Sequence, residues 1–201
     1  MNIIEKATMI NFHRHRINEF RDSVRVLGWK GDESQFKRFE VLLKLGDFSG
    51  CSILDIGCGR GDFMGFLNER IDDFSYVGLD LMSEFIIDAA ERYGHLPNTK
   101  FYQGDFSLVD LPRVDFAIAS GALTYRSENA CYYNEMIAKL YASAKCGFAF
   151  NMLNVASFPE HPLLVGHDIG EVVKFCQMLC PRVELISDYF EDDFTVFMYR
   201  D

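Results

Sequence analysis

Apolar residues near the start of the chain recur at helical spacing. Ile10, Ile17, Phe20, Val24 and Leu27 share one side of a predicted helix, and Gly28 is placed to stop it. A second helix is predicted from Asp32 or Ser34 to Gly46, with Phe36, Phe39, Leu42 and Leu43 along one side. At Cys51 the period changes. Cys51–Ile56 is a short apolar run of strand length that leads into a glycine-rich turn, and Phe63–Arg70 returns to helical spacing. Phe74–Leu79, Thr99–Gln103, Val114–Ala119 and Gly147–Leu153 read as further strands. Between them lie helical stretches at Ser83–Tyr93, with Ser83 as N-cap and Gly94 as stop, and at Ser127–Ala144. Asp168–Leu179 reads as a last helix, followed by the strands Val183–Ile186 and Phe194–Tyr199.

Strands that alternate with helices bury both faces of a parallel sheet, joined by right-handed crossovers. The pattern therefore predicts an α/β fold: a doubly wound, mostly parallel seven-stranded sheet, preceded by N-terminal helices. The link 187–193 has no room for a crossover helix, so the last two strands should pair antiparallel. Residues 1–201 form one expected domain, with 1–46 as an N-terminal helical cap.

Composition narrows the chemistry. With 49% hydrophobic residues the chain can bury a sizeable core. A formal charge of −10 argues against a general polyanion binder, because neutralising phosphates takes clustered Lys and Arg. Residues 1–40 hold eight basic and six acidic side chains, so the acidic excess belongs to the remainder. A basic arm around His13–Arg16 and a solvated helix face are both compatible with that asymmetry. None of the six cysteines forms a C-x-x-C pair, no metal site is expected, and without a signal peptide the thiols should be reduced in a cytoplasm. No apolar run is long enough to cross a bilayer.

The glycine-rich turn lies in "ILDIGCGRGD", Ile53 to Asp62. In an open parallel sheet, ligands bind beyond the carboxyl ends of the strands, so the turn after the first strand is the natural place. Glycine there lets backbone N–H groups approach a ligand. Asp80 ends the second strand, where a carboxylate can accept from the two hydroxyls of a ribose. The spacing G-C-G-R-G is one residue short of the dinucleotide pattern G-x-G-x-x-G. Asp55 and Asp62 would also repel a pyrophosphate. A nucleoside with a cationic end tolerates them, and S-adenosylmethionine carries a sulfonium, an ammonium and a carboxylate without any phosphate.

From Ile53 to Phe106 the chain resembles the class I S-adenosylmethionine-dependent methyltransferases. "ILDIGCGRG" is similar to their first motif, "YVGLDL" to their acidic second strand, "YQGDF" to their third strand, and "DFAIASGALTY" to their fourth. The resemblance implies that Asp55 orients the methionine end of S-adenosylmethionine while Gly57, Cys58, Gly59 and Gly61 wrap it. It implies that Asp80 holds the ribose, Leu81 and Met82 lie near the adenine, and Asp105 accepts from the adenine amino group beside Phe106. Ser120 and Gly121 would face the sulfonium side. Cys58 reads as a small packing residue and not a nucleophile. The antiparallel strand near the end, "DDFTVFMYR", also suits this fold.

Methyl transfer from an activated sulfonium needs alignment above all, and a general base only if the acceptor keeps its proton until attack. No catalytic residue is therefore assigned. Acceptor-site candidates are Trp29, Gln35 and Arg38, the last able to meet a carboxylate of the cofactor or of an acidic substrate. Tyr125, Arg126, Tyr132 and Tyr133 form a second group, with packing as the alternative for the last two. His161 and His167 lie in the long link 154–167, where turn and helix-start roles compete with a role as base. The resulting expectation is a methyltransferase acting on a small molecule. The alternatives are a tRNA or other RNA methyltransferase and a non-catalytic cofactor-binding protein.

Overall fold

The computed structural model describes residues 1–20, 23–29 and 31–200. Helix α1 spans Ile3–Phe20, and a separate 3-10 turn covers Val24–Leu27. The sequence expectation of one helix through Leu27 is corrected here. A 3-10 turn keeps the i, i+3 recurrence of apolar residues, so periodicity alone does not separate the two. The start of α1 is fixed by Asn2 and Glu5. The Asn2 side chain accepts from the Ile4 and Glu5 amides, and the Glu5 carboxylate accepts from the Asn2 amide. Such a reciprocal pair satisfies otherwise unpaired N–H groups of the first turn. Gly28 closes the 3-10 turn in the left-handed region at φ 94°.

Helix α2 spans Asp32–Leu42 and continues as a 3-10 turn, Leu43–Leu45, up to Gly46. The sheet strands then follow: β1 (Cys51–Ile56), β2 (Phe74–Asp80), β3 (Thr99–Gln103), β4 (Val114–Ala119) and β5 (Ala144–Asn154). Helices α3 (Asp62–Asn68), α4 (Ser83–Tyr93) and α5 (Tyr132–Ser143) lie among them. The chain ends with the two-residue strand β6 (Gly166–His167), helix α6 (Ile169–Leu179), β7 (Arg182–Ile186) and β8 (Asp193–Tyr199). Sheet order is β3-β2-β1-β4-β5-β8-β7, with β6 beside β5. All pairs are parallel except β5–β8 and β7–β8. The doubly wound, mostly parallel sheet with antiparallel final strands is thus present, with β6 as one short strand more than the seven expected.

Three local expectations are corrected. Met82, not Ser83, occupies the N-cap of α4, and the Ser83 hydroxyl donates to Glu84. Gly94 ends that helix in right-handed geometry, so its glycine character is not used. Residues Ser127–Cys131 are not helical: the Asn129 side chain accepts from the Cys131 amide, and α5 begins only at Tyr132.

Alternation along β1 distributes its side chains. Leu54 and Ile56 join the core shared with α5 and α6, while Ile53 joins the core shared with α2 and α3. A smaller cluster, Val26, Met82 and Phe85 with Ile10, Ile17 and Phe20 against it, seats α1 on the start of α4. The N-terminal helices therefore pack at the strand ends where β1 and β4 part company.

Candidate active site

A cavity of about 290 Å³ lies between the N-terminal segments and the carboxyl ends of β1, β2, β3 and β4. Its floor is the turn after β1. Gly57 and Gly59 adopt φ of 70° and 54°, which L side chains rarely take. Both are also crowded: a Cβ on Gly57 would stand 2.9 Å from the Ala122 Cβ, and one on Gly59 would stand 2.8 Å from Leu27. Main chain is thereby brought to the cavity wall. Gly61 serves a different purpose. It caps α3 and faces Tyr93 and Phe101, away from the cavity lining.

Asp80 links two segments of that wall, accepting from the Gly59 amide at 2.9 Å and the Met82 amide at 2.8 Å. Burial raises its pKa, against the lowering effect of those amides. A carboxylate offers about four lone-pair positions, so those amides leave room for a ligand hydroxyl. Leu81 and Met82 continue the wall, and Met82 is buried against Val26 and Phe85. Asp105 and Phe106 line the cavity beyond β3. Asp105 accepts from the Ser107 amide and hydroxyl and pairs with Lys6 of α1 at 2.6 Å. Burial works to raise the Asp105 pKa, but Lys6 and Ser107 hold it below the usual value.

Asp55 is buried and accepts from the Tyr76 hydroxyl through Oδ2. Burial pushes its carboxyl up to about 7; the Tyr76 bond opposes this, while Asp80 and Asp62 add to it. Among the described residues, Asp55 Oδ1, Ser120 Oγ and Asn151 Nδ2 are buried without a protein partner. All three residues line the cavity. An acceptor beside two donors suits a zwitterionic ligand end: the carboxylate for an ammonium, the hydroxyl and amide for a carboxylate. Asn151 also holds the main chain after β4, accepting from the Gly121 amide at 2.7 Å.

Cys58 is buried, and burial pushes its thiol well above the ordinary range, which suits packing and not nucleophilic attack. Arg38 reaches the cavity, yet its guanidinium is engaged by Asp193 through Nε at 2.6 Å and by the Ser34 carbonyl through Nη1. It also lies over the rings of Trp29 and Phe190, with centroids 4.6 and 5.1 Å from its Cζ. Any ligand carboxylate would have to share this guanidinium with Asp193.

Of the remaining candidates, Trp29, Gln35, Tyr125, Tyr132 and His161 line the cavity, and Arg126, Tyr133 and His167 do not. His161 accepts from the Leu163 and Leu164 amides through Nδ1, the turn role its neighbour Pro162 suggests. His167 is held near 4 by burial and packs on the Tyr133 ring at 4.3 Å. Asp168, next to it, caps α6.

Sequence reasoning missed Lys6, Asn151, Asp193 and above all His13. His13 is 5% exposed, with Nδ1 3.0 Å from the Val26 carbonyl and Nε2 2.6 Å from the Tyr125 hydroxyl. Its neighbours in the suggested basic arm are engaged too. Arg14 pairs with Glu84, and Arg16 donates to the Arg25 carbonyl while lying over Phe12 and Phe20. Among the described residues no His, Cys, Asp and Glu cluster could hold a metal ion.

Doubly wound topology with a cavity beyond the carboxyl ends of the central strands defines the class of α/β domains that bind ligands at the switch point. A family model described as a methyltransferase domain matches residues 53–147. Over this stretch the chain is similar to the class I S-adenosylmethionine-dependent methyltransferases. A malonyl-[acyl-carrier protein] O-methyltransferase of Marinomonas is 30% identical over 112 residues, covering 54% of this chain and 40% of that protein. A tRNA (guanine-N(7)-)-methyltransferase of Brevibacillus brevis is 38% identical over 56 residues, covering 27% of this chain and 26% of that protein. The chain spans less than two thirds of the length of these relatives. The crystal structure of magnesium protoporphyrin IX methyltransferase from Synechocystis, with bound S-adenosylhomocysteine, superposes with a TM-score of 0.70. That match has 16% identity and covers 99% of both chains.

Proposed function

We propose that this protein transfers a methyl group from S-adenosylmethionine to a small-molecule acceptor. The supporting observation is the composition of the cavity: Asp55 Oδ1, Ser120 Oγ and Asn151 Nδ2 form an unpaired set of opposite polarity beside the Gly57–Gly61 turn. In this reading Asp55, Gly57, Cys58 and Gly59 hold the methionine end, with Ser120 opposite. Asp80 holds the ribose, and Leu81, Met82, Asp105 and Phe106 enclose the adenine. The bound cofactor would supply an electrophilic methyl. The protein's part is to align the acceptor and exclude water, and alignment can contribute about 7–11 kcal/mol.

A small acceptor is favoured over RNA by the charge of −10 and by the engagement of Arg14 and Arg16 within the fold. Calorimetry with S-adenosylhomocysteine is the first test, and Asp80→Ala should weaken binding by about 1.5–3 kcal/mol. Unchanged affinity in that variant would remove Asp80 from the ribose role. Binding of NAD in place of S-adenosylhomocysteine would overturn the cofactor. Binding without turnover on any acceptor pool would favour the non-catalytic alternative, and turnover that depends on tRNA would favour the RNA one.

A further inference from the structure

We propose that Tyr125 takes up the proton released by the methyl acceptor and that His13, behind it, is where that proton comes to rest. The proposal rests on the methyltransferase reading of the same cavity. A carbonyl oxygen can only accept, so the 3.0 Å contact with Val26 requires the hydrogen on His13 Nδ1. A neutral imidazole has one N–H, so Nε2 is an acceptor, and the Tyr125 hydroxyl donates to it at 2.6 Å. The chain of bonds has one direction, from Tyr125 through the imidazole to the Val26 carbonyl.

The placement is specific. Tyr125 and His13 both line the cavity, and Tyr125 follows shortly after Ser120 at the end of β4. The rings of Phe12, Phe85 and Tyr125 enclose the imidazole, with centroids 5.2, 5.3 and 5.9 Å away. Tyr133 donates to the Tyr125 carbonyl at 2.7 Å and so fixes its backbone. Burial keeps His13 below its usual pKa, so Nε2 carries no proton at neutral pH. The Tyr125 oxygen donates one hydrogen and retains lone pairs that can accept from an acceptor O–H or N–H.

As the acceptor atom gains the methyl, its bond to hydrogen breaks and that proton moves to Tyr125 Oη. The original Tyr125 proton moves to His13 Nε2. The imidazolium then carries the positive charge that the sulfonium has lost. Once the product leaves, Tyr125 Oη gives a proton to water in the cavity and takes back the one on His13 Nε2. The substrate class that follows is a small hydroxyl or neutral amine compound, held against the apolar side chains of Met9, Phe12, Trp29 and Phe158.

The test compares the wild-type chain with Tyr125→Phe and His13→Gln. With 15N-labelled histidine, His13 should show protonated Nδ1 and bare Nε2, and Tyr125→Phe should shift the Nε2 resonance. An Nε2-protonated ring would overturn the proposal. Affinity for S-adenosylhomocysteine should stay within about threefold in both variants, while kcat on a panel of phenols, alcohols and primary amines falls roughly 100-fold with KM little changed. Glutamine can accept from Tyr125 but cannot take its proton. Full activity in His13→Gln would therefore reduce the pair to positioning and refute the proton transfer. Reduced S-adenosylhomocysteine affinity at unchanged kcat would make the pair a latch and refute it equally. A wild-type chain that binds S-adenosylhomocysteine but methylates no member of the panel sinks the acceptor class. One that does not bind it sinks the methyltransferase reading itself.

Discussion

Burial, helped by Asp80 and Asp62, opposes ionisation of Asp55 and raises its carboxyl to about 7. A folded-state value above the ordinary carboxylate range means that the native protein holds this proton more tightly than the unfolded chain does. The resulting stability is complete below the unfolded pKa and is lost as pH rises through about 7. Burial likewise lifts Asp193, to about 6 against the pull of Arg38, so it contributes a similar loss at slightly lower pH. Asp55→Asn should flatten the upper part of this profile in thermal melts across about pH 5–8, leaving the Asp193 part in place. A ligand ammonium beside Asp55 would favour the charged form. S-adenosylhomocysteine should therefore bind more tightly at about pH 8 than at pH 5.5, releasing a proton at the lower pH. Calorimetry in buffers of different ionisation enthalpy measures that release, and Asp55→Asn should abolish it. Asp55 and Asp80 were legible in the sequence because Asp55 leads into the glycine turn after the first strand and Asp80 ends the second strand. His13 was not, because its partner Tyr125 is 112 positions away and it opens the basic run His13–Arg16.

Helix α1 is fastened to the sheet layer by polar contacts spread along its length. Lys6 meets Asp105, Arg14 meets Glu84, and Glu5 accepts from the Glu128 amide at 2.7 Å. The Lys6–Asp105 pair is the better shielded of the two ion pairs, with side chains 19% and 17% exposed, against 56% and 35% for Arg14–Glu84. Salt should weaken the exposed pair more. Lys6→Met is expected to speed amide exchange across Ile3–Phe20 several-fold, while raising salt in the wild type should have a smaller effect. Equal exchange in both proteins would show that the apolar cluster around Val26 and Phe85 holds the helix unaided. Most strands were read from the sequence to within a residue, because short apolar runs lie between turn residues. However, β5 begins three residues before the expected Gly147, and the two-residue β6 was not foreseen. Helix ends were read less well. At α4 the Met82 backbone is extended and takes the cap position, which the chemistry of Ser83 alone did not reveal.

At the scale of the molecule, the N-terminal helices and the link 154–167 flank one cavity, and we take residues 1–46 as its cap. Both segments should gain protection from hydrogen exchange when S-adenosylhomocysteine binds. Deleting residues 1–28 should reduce turnover more than cofactor affinity, since it removes His13 while leaving Asp55, Asp80 and Asp105 in place. A truncated protein that turns over at the full rate would show that the helices are not a cap. The sheet order has a kinetic corollary. Among the described residues β7 pairs with the sheet only through β8, and a link of six residues joins the two. Local pairing forms quickly, so the β7–β8 hairpin can assemble early by itself and then dock as a unit along β5. Docking also delivers Asp193 to Arg38, 155 positions earlier in the chain, giving a guanidinium in the protein interior its counterion only at that step. A late step of this kind shows up in unfolding: Val196→Ala should raise the unfolding rate several-fold in stopped-flow denaturant jumps and leave the folding rate nearly unchanged. A slower folding rate instead would place the hairpin inside the nucleus.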